Sequence, residues 1–322
     1  MKKHYSIPVF IPQQACPFRC VYCNQFNITD RLSSTPADDV KNIIEKYLVT
    51  IPAGADVRIG FFGGSFTGMS IARQNEYLDV ADYYIDKGVV SGIQLSTRPD
   101  YIDASILENL KKHKVTIIEL GAQSLDDEVL GNTGRGHSVG DVEKASSLIH
   151  NYGMDLGLQM MIGLPGDTKE KAMSTAKKIV ALGAKYTRIY PTLVIKDTVL
   201  EQLYSDGRYM PLSLQQAVEW TAEIIPVFAN AGVTVLRVGL HPSDGLLSGE
   251  TLVAGPFHTS FKQLVYSHIW KKKIETMMKE NTSPDEIVIE VGKDDIPYAV
   301  GYGSSNLKML KAKYKKVRYV QI

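Results

Sequence analysis

Cys16, Cys20 and Cys23 are the three cysteines of a 322-residue chain, and all stand on one stretch with the spacing Cys-x3-Cys-x2-Cys. Soft thiolates select iron–sulfur clusters, zinc or copper. A structural zinc site takes four ligands, usually as two separated pairs. A plain electron-transfer cluster takes four cysteines. Three thiolates on one short loop can hold three corners of a four-iron cluster and leave the fourth iron open to a substrate or cofactor. The same residues also admit a zinc knuckle completed by a histidine, or three unrelated buried thiols.

Polar and glycine residues recur at the ends of short apolar runs. Runs over residues 7–11, 57–62, 93–97, 115–120, 156–162 and 187–190 read as strands, with helical patterns between them. They lead in turn into the cysteine loop, Gly63-Gly64-Ser65, Arg98-Pro99-Asp100, Gly121-Ala122-Gln123, Gly163-Leu164-Pro165-Gly166 and Pro191. Repeated strand–helix units predict a parallel sheet with right-handed crossovers. Six of them predict an α/β fold: a partial (β/α)6, TIM-like barrel with a C-terminal α/β extension. Barrel chemistry sits at the carboxyl ends of the strands, where these residues cluster. Ser138 with Asp141 and Ser213 with Gln216 mark helix starts in capping-box style, and Thr35-Pro36 reads as another start.

The expected division is a barrel over 1–195, a helical and strand extension over 196–280 that closes the substrate side, and a strand–helix–strand tail over 285–322. A strand over 233–238 falls in the extension, and Asn281 to Asp285 reads as a linker.

Net charge is +1 and 44% of residues are apolar, so composition alone sets up no field that draws nucleic acid or an anionic membrane. The N-terminus lacks a secretory signal, and no apolar run reaches membrane-spanning length. Thiols committed to a metal centre need a reducing compartment. The expectation is a cytoplasmic protein without a membrane partner. The basic runs Lys271 to Lys273 and Lys311 to Lys316 can touch phosphates, but solvated helix faces explain them as well.

The cysteine spacing after an apolar strand resembles the signature of the radical S-adenosylmethionine (radical SAM) superfamily. That resemblance implies a 4Fe–4S cluster on Cys16, Cys20 and Cys23, with SAM chelating the open iron and an external one-electron donor of flavodoxin or ferredoxin type. It places Tyr22 beside the adenine, Gly63 and Gly64 against the methionyl amine, and Gly163 and Leu164 in the adenine-side turn. Ser96, Gln123 and Gln159 suit the ribose and carboxylate of SAM, and Arg188 suits its carboxylate.

Ser96-Thr-Arg-Pro-Asp100, Glu119-Leu-Gly-Ala-Gln-Ser124, Arg135-Gly-His137, Gln159 to Gly166 and Arg188-Ile-Tyr-Pro191 narrow the resemblance. They are similar to the radical SAM domain of the Elongator catalytic subunit and its short bacterial relatives, over about residues 5–265. In Elongator that domain acts on the wobble uridine of tRNA, with an acetyltransferase domain behind it. The 38 residues of the 285–322 tail are too few for such a domain. Pro12 to Phe18 and Gly239 to Asp244 depart from the short relatives, which implies a changed substrate.

The expectation is therefore a carbon–nitrogen lyase acting on a small molecule, a queuine-like 7-deazaguanine base, with tRNA the less favoured partner. The guanine-like edge of such a base offers N–H donors that carboxylates read, so Asp100, Glu119 and Asp244 are candidate substrate residues. Arg237, His241 and His258 suit its diol, and Tyr190 can stack or donate its hydroxyl. Tyr190, His241 and Asp244 are the expected catalytic groups. His137 is expected to brace its loop. A non-catalytic cluster or zinc scaffold is the remaining alternative.

Overall fold

Apolar side chains alternate along seven strands, and every strand lies parallel to its neighbour in one sheet. The order is β1 (His4–Phe10), β2 (Asp56–Phe62), β3 (Gly92–Thr97), β4 (Val115–Gln123), β5 (Asp155–Ile162), β6 (Tyr186–Pro191) and β7 (Thr234–Val238). The computed structural model describes residues 4–11, 16, 20–24, 27–28 and 35–322. The departure expected at Pro12 to Phe18 falls, apart from Cys16, outside the described residues. The sheet curls into an open parallel half-barrel, so the expected α/β class and partial-barrel architecture hold.

The seventh strand corrects the expected six. Residues 234–238 read as part of the extension, but β7 adds to β6 with Arg237 opposite Arg188 and Val238 opposite Ile189. The pairing covers backbone groups that an edge β6 would leave open. The sheet thus continues past residue 195, where the sequence places the end of the barrel.

Successive strand side chains point to opposite faces. Ile7, Val9, Ile59, Phe61, Ile93, Leu95, Leu156, Leu158 and Ile189 face outward and are fully buried in the main core. They pack beneath α1 (Ala37–Leu48), α2 (Ile71–Asp86), α3 (Ala104–Lys112), α4 (Val139–Asn151), α5 (Lys169–Ala181) and α6 (Leu214–Asn230), which return the chain between strands. The expected capping boxes open α4 at Ser138 and α6 at Ser213. Thr35 does not cap α1: its hydroxyl donates to the Phe10 carbonyl at 2.9 Å, and Pro36 precedes the helix.

The inward set is different. Gln94, Glu119, Gln159 and Arg188 occupy successive strands and hydrogen-bond one another. TIM barrels fill this space with branched aliphatics; here the lumen is polar. Gly157 makes room for it, since a Cβ there would stand 2.8 Å from Cγ of Glu119.

Beyond the sheet, α7 (Phe261–Glu280) serves two cores. Phe261 and Val265 pack on the barrel, while Trp270 and Ile274 pack on Ile287, Ile289 and Leu310 of the tail. The tail pairs β8 (Glu286–Val291) with β9 (Lys316–Gln321) in parallel. No helix among the described residues is long and apolar enough to cross a membrane.

Replacing Gly157 with alanine forces its methyl onto Glu119, and overpacking of this kind costs about 1–3 kcal/mol. Gly131→Ala, inside the helix Asp127–Asn132 where the added carbon meets nothing within 4 Å, is the control and should raise stability in urea unfolding by about 0.4–1 kcal/mol. Equal midpoints for the two variants would show that the lumen yields without cost.

Candidate active site

The cysteine loop is held by backbone bonds to elements far along the chain. Val21 N–H donates to the Thr133 carbonyl at 3.0 Å, and the Val21 carbonyl accepts from Leu200 N–H at 2.7 Å. Asn27 Nδ2 reaches the Lys196 carbonyl at 3.0 Å. Within the loop, Cys23 N–H donates to the Cys20 carbonyl at 2.9 Å. Cys20 is buried, Cys23 half-buried and Cys16 exposed.

Arg135, itself buried, places Nη1 3.4 Å from Sγ of Cys20 and donates through Nη2 to the Gly121 carbonyl at 2.7 Å. Burial works against its charge, yet Tyr22 and Cys20 beside it hold the guanidinium protonated, above its ordinary range. Ser65 hydrogen-bonds the Cys16 thiol, which sets the Gly63-Gly64 turn beside the loop. Gly63 has φ 108°, a conformation that favours glycine. Thr67 and Thr97 share a 2.6 Å hydroxyl contact that ties this turn to β3.

Tyr22 and Leu164, both expected near the adenine, lie in one buried cluster with Val194 and Leu200. Gly163 has φ 74°, its N–H donates to Asp167 at 2.8 Å, and its carbonyl accepts from the Tyr209 hydroxyl at 2.6 Å. Burial pushes the Asp167 carboxyl up to about 6. A cavity of about 260 Å³ opens against this turn, lined by Asp167, Arg208, Tyr209 and Trp220 among others.

In the lumen, Arg188 grips Glu119 with two nitrogens, Nη2 at 2.9 Å, while Gln94 and Gln159 donate to the same carboxylate. The side chains are 1% exposed for Glu119 and 15% for Arg188. Burial alone would weaken the Arg188 charge; Glu119 restores it and raises the group above its ordinary value. Desolvation likewise pushes the Tyr190 phenol up, so it stays a proton donor. Gln123 ends β4 with a left-handed backbone, φ 65°, and its buried Oε1 has no protein partner. Ser96 Oγ contacts the Phe61 carbonyl at 3.4 Å.

Some expected roles meet other partners. Asp100, expected to read a substrate edge, is gripped by Arg98 through two bonds of 2.9 Å. Glu119 has its lone pairs committed to Arg188 and the two glutamines, and Arg188 is thereby engaged by Glu119 rather than left for a SAM carboxylate. His258 accepts from Ser260 N–H at 3.0 Å and sits edge-on to Tyr302 of the tail. Asp244 is exposed at the start of a short helix, Asp244–Ser248. Arg237 and His241 do come together, Nη2 to Nδ1 at 3.3 Å. His137 is buried beside Arg135 and Arg98, which with desolvation lower it to about 4.

Arg135, Ser65, Gln94 and Asp167 carry site contacts that the sequence reading did not assign. Gln94 had a signal: it stands two residues before Ser96 on a predicted strand and therefore shares its face. Nothing in spacing pairs Arg135 with a particular cysteine.

The donor set fits a cluster better than a single ion. The three sulfurs do not form a group with all ligand atoms within 4.8 Å; among the described residues only Asp79, Asp82 and His113 do. Ligands around one zinc crowd to about 4 Å of each other, whereas a cluster spreads its thiolates. The orphaned Gln123 Oε1 leaves a buried polar group for a bound nucleoside, and glycine at position 63 lets the backbone approach it closely.

The fold and site therefore define a half-barrel enzyme with a three-thiolate centre at the carboxyl ends of its strands. Comparison specifies it: the radical SAM superfamily matches residues 10–179 and the radical SAM C-terminal domain residues 184–271. The chain belongs to the radical SAM superfamily, whose cofactors are a 4Fe–4S cluster and SAM.

It is 27% identical over 231 residues to a tRNA uridine(34) acetyltransferase of Dehalococcoides mccartyi, covering 61% of this chain and 50% of that protein. It is 33% identical over 187 residues to one from Methanocaldococcus jannaschii, covering 56% and 33%. The chain thus spans half the length of the first relative and a third of the second. The Elp3 structure of Methanocaldococcus infernus superposes with a TM-score of 0.68 at 23% identity, over 85% of this chain and 64% of that one, and shows the same fold. These likenesses give no support to the expectation that tRNA is disfavoured.

Glu119→Ala leaves Arg188 buried without its counter-charge and should cost about 3–5 kcal/mol in urea unfolding. A loss below about 1 kcal/mol, the range of exposed ion pairs, would mean that the pair is solvated. Asp167 sets a pH dependence. Its folded form holds a proton up to about 6 against an ordinary value of 3.8. Stability is therefore greatest below the lower value, falls as pH rises between the two, and is flat above. Asp167→Asn lacks this slope, so it should gain on the parent by roughly 2 kcal/mol between pH 4 and pH 7. Parallel urea curves across that range check the sign.

Proposed function

We propose that the carboxyl-terminal mouth of the half-barrel is the active site of a radical SAM enzyme that acts on a uridine of tRNA. The observation that carries the site reading is the Arg135 guanidinium against Cys20: a buried cation there offsets the negative charge that a thiolate-held cluster brings. The names of the relatives support the substrate class, since both share this barrel region and act on tRNA uridine(34).

In this reading Cys16, Cys20 and Cys23 hold the cluster, and a flavodoxin- or ferredoxin-type donor delivers electrons in a reducing, cytoplasmic setting. When bound, the cluster and SAM supply a carbon radical that takes hydrogen from an unactivated C–H bond. Gly63 and Gly64 let the backbone approach the methionyl amine, and Tyr22 with Leu164 walls the adenine. Gln123 Oε1 accepts from a ribose hydroxyl, with Ser96 alongside. Gln159 and Arg188 act with Glu119 as a fixed polar floor that keeps mobile water out of the lumen. Tyr190 donates its phenol proton to the substrate. The parts of 196–280 outside β7 close the substrate side, and the 285–322 tail buttresses α7.

A second reading, a carbon–nitrogen lyase of a queuine-like base, is favoured by the Arg237–His241 pair, which offers adjacent polar groups to a diol.

Anaerobic enzyme reconstituted with iron and sulfide, then given dithionite, SAM and unmodified tRNA, should form 5′-deoxyadenosine and shift the mass of the wobble uridine, with acetyl-CoA supplied in a parallel arm. Cys20→Ala should lose both iron and 5′-deoxyadenosine. Conversion of queuine to its 7-aminomethyl product, with tRNA unchanged, would move the assignment to the lyase. An iron-free protein that never cleaves SAM would remove both.

A further inference from the structure

Among the described residues, the lumen holds one arginine, Arg237, that no carboxylate pairs. Arg188 is matched by Glu119. Arg237 stands opposite Arg188 across the β6–β7 pairing, and no carboxylate lies within salt-bridge distance of it among the described residues. Its Nε donates to the Gly239 carbonyl at 3.0 Å and Nη2 faces Nδ1 of His241 at 3.3 Å. Desolvation and then Arg237 itself lower His241, so the ring accepts that contact as a neutral group and adds no charge of either sign. Arg188, already paired with Glu119, and Arg237, paired with no carboxylate among the described residues, stand on adjoining strands and leave a place for an anion beside Arg237.

The planar fork of arginine matches phosphate oxygens. SAM is a poorer occupant: its amino and carboxylate groups must reach the loop after β1, at the opposite edge of the sheet from β7.

We infer that Arg237 binds a phosphate of the substrate, so that the reactant enters the lumen as a nucleotide and not as a free base. Arg237 is then a specificity residue: it distinguishes phosphorylated from unphosphorylated forms of the same nucleoside. His241 orients the guanidinium, and the Gly239 carbonyl fixes its edge. The inference rests on the uridine reading above and names the chemical form in which that base arrives.

Titration calorimetry of the cluster-reconstituted protein with uridine 5′-monophosphate and with uridine, both at saturating SAM, tests it. The nucleotide should bind at least about tenfold tighter, as one charge-assisted contact would give. Arg237→Gln should close that gap, and Arg237→Lys should keep part of it. Thermal melts run on the same samples, and the lysine variant keeps the test readable if the glutamine variant unfolds. Equal affinities for the two ligands in the parent protein, no binding of the nucleotide, or a gap that survives in Arg237→Gln, each overturns the inference. No turnover is involved. A protein that cleaves SAM but does not distinguish the two ligands sinks this inference alone, while one that prefers the nucleotide without modifying tRNA leaves it standing.

Discussion

The buried pairing of Glu119 with Arg188 is the constraint on which the rest of the lumen depends. Four consecutive strands each place one side chain in it: Gln94 from β3, Glu119 from β4, Gln159 from β5 and Arg188 from β6. A carboxylate at 1% exposure is tolerable only when its lone pairs are filled, and here two glutamines and a bidentate arginine fill them. Hydrophobic residues of similar volume would hold the sheet at least as firmly. What they would not do is leave the inner face polar while the outer face carries the whole apolar core. The pair separates the two tasks of the sheet, stability outside and binding inside.

The loops inherit their positions from that frame through short chains of contacts. Arg98 grips Asp100 and also donates to the Arg135 carbonyl at 2.8 Å. Arg135 in turn reaches Cys20 and the Gly121 carbonyl at the end of β4. The cysteine loop, the β3 end and the β4 end are therefore one connected polar unit. On the other side the loop is stitched by backbone bonds to Thr133 and Leu200, and Tyr22 is packed against Leu164. Cys20 has neighbours on both flanks, whereas Cys16 depends on the Ser65 hydroxyl.

Much of this was legible in the sequence where periodicity or spacing carried it. Strand-end position singled out Glu119, Gln159 and Arg188 without pairing them, the cysteine spacing announced a three-thiolate centre, and Ser138 and Ser213 announced their helix starts. What failed did so for physical reasons. A strand pattern such as 234–238 says nothing about which edge it will join, so β7 was read into the extension. Charge partners are long-range facts: Glu119 and Arg188 are 69 residues apart, and Asp100 was read as free although Arg98 stands two residues away. Arg135 was visible as part of a motif, but its role as the cation on Cys20 depends on how 115 residues of chain fold back.

The same accounting bears on substrate chemistry. Asp100 and Glu119 are both spent on arginines, while Gln123 Oε1 is a buried acceptor without a protein partner. The Tyr190 phenol, held protonated by desolvation, and the Arg237 guanidinium are donors. A 7-deazaguanine edge presents N–H donors and calls for a carboxylate opposite them. A uridine presents two carbonyl oxygens, and its backbone presents phosphate, all of which call for donors. The one carboxylate outside these pairs that was expected to meet substrate, Asp244, lies exposed on a short helix, where water competes for it at every moment and its selectivity for a base edge is weak.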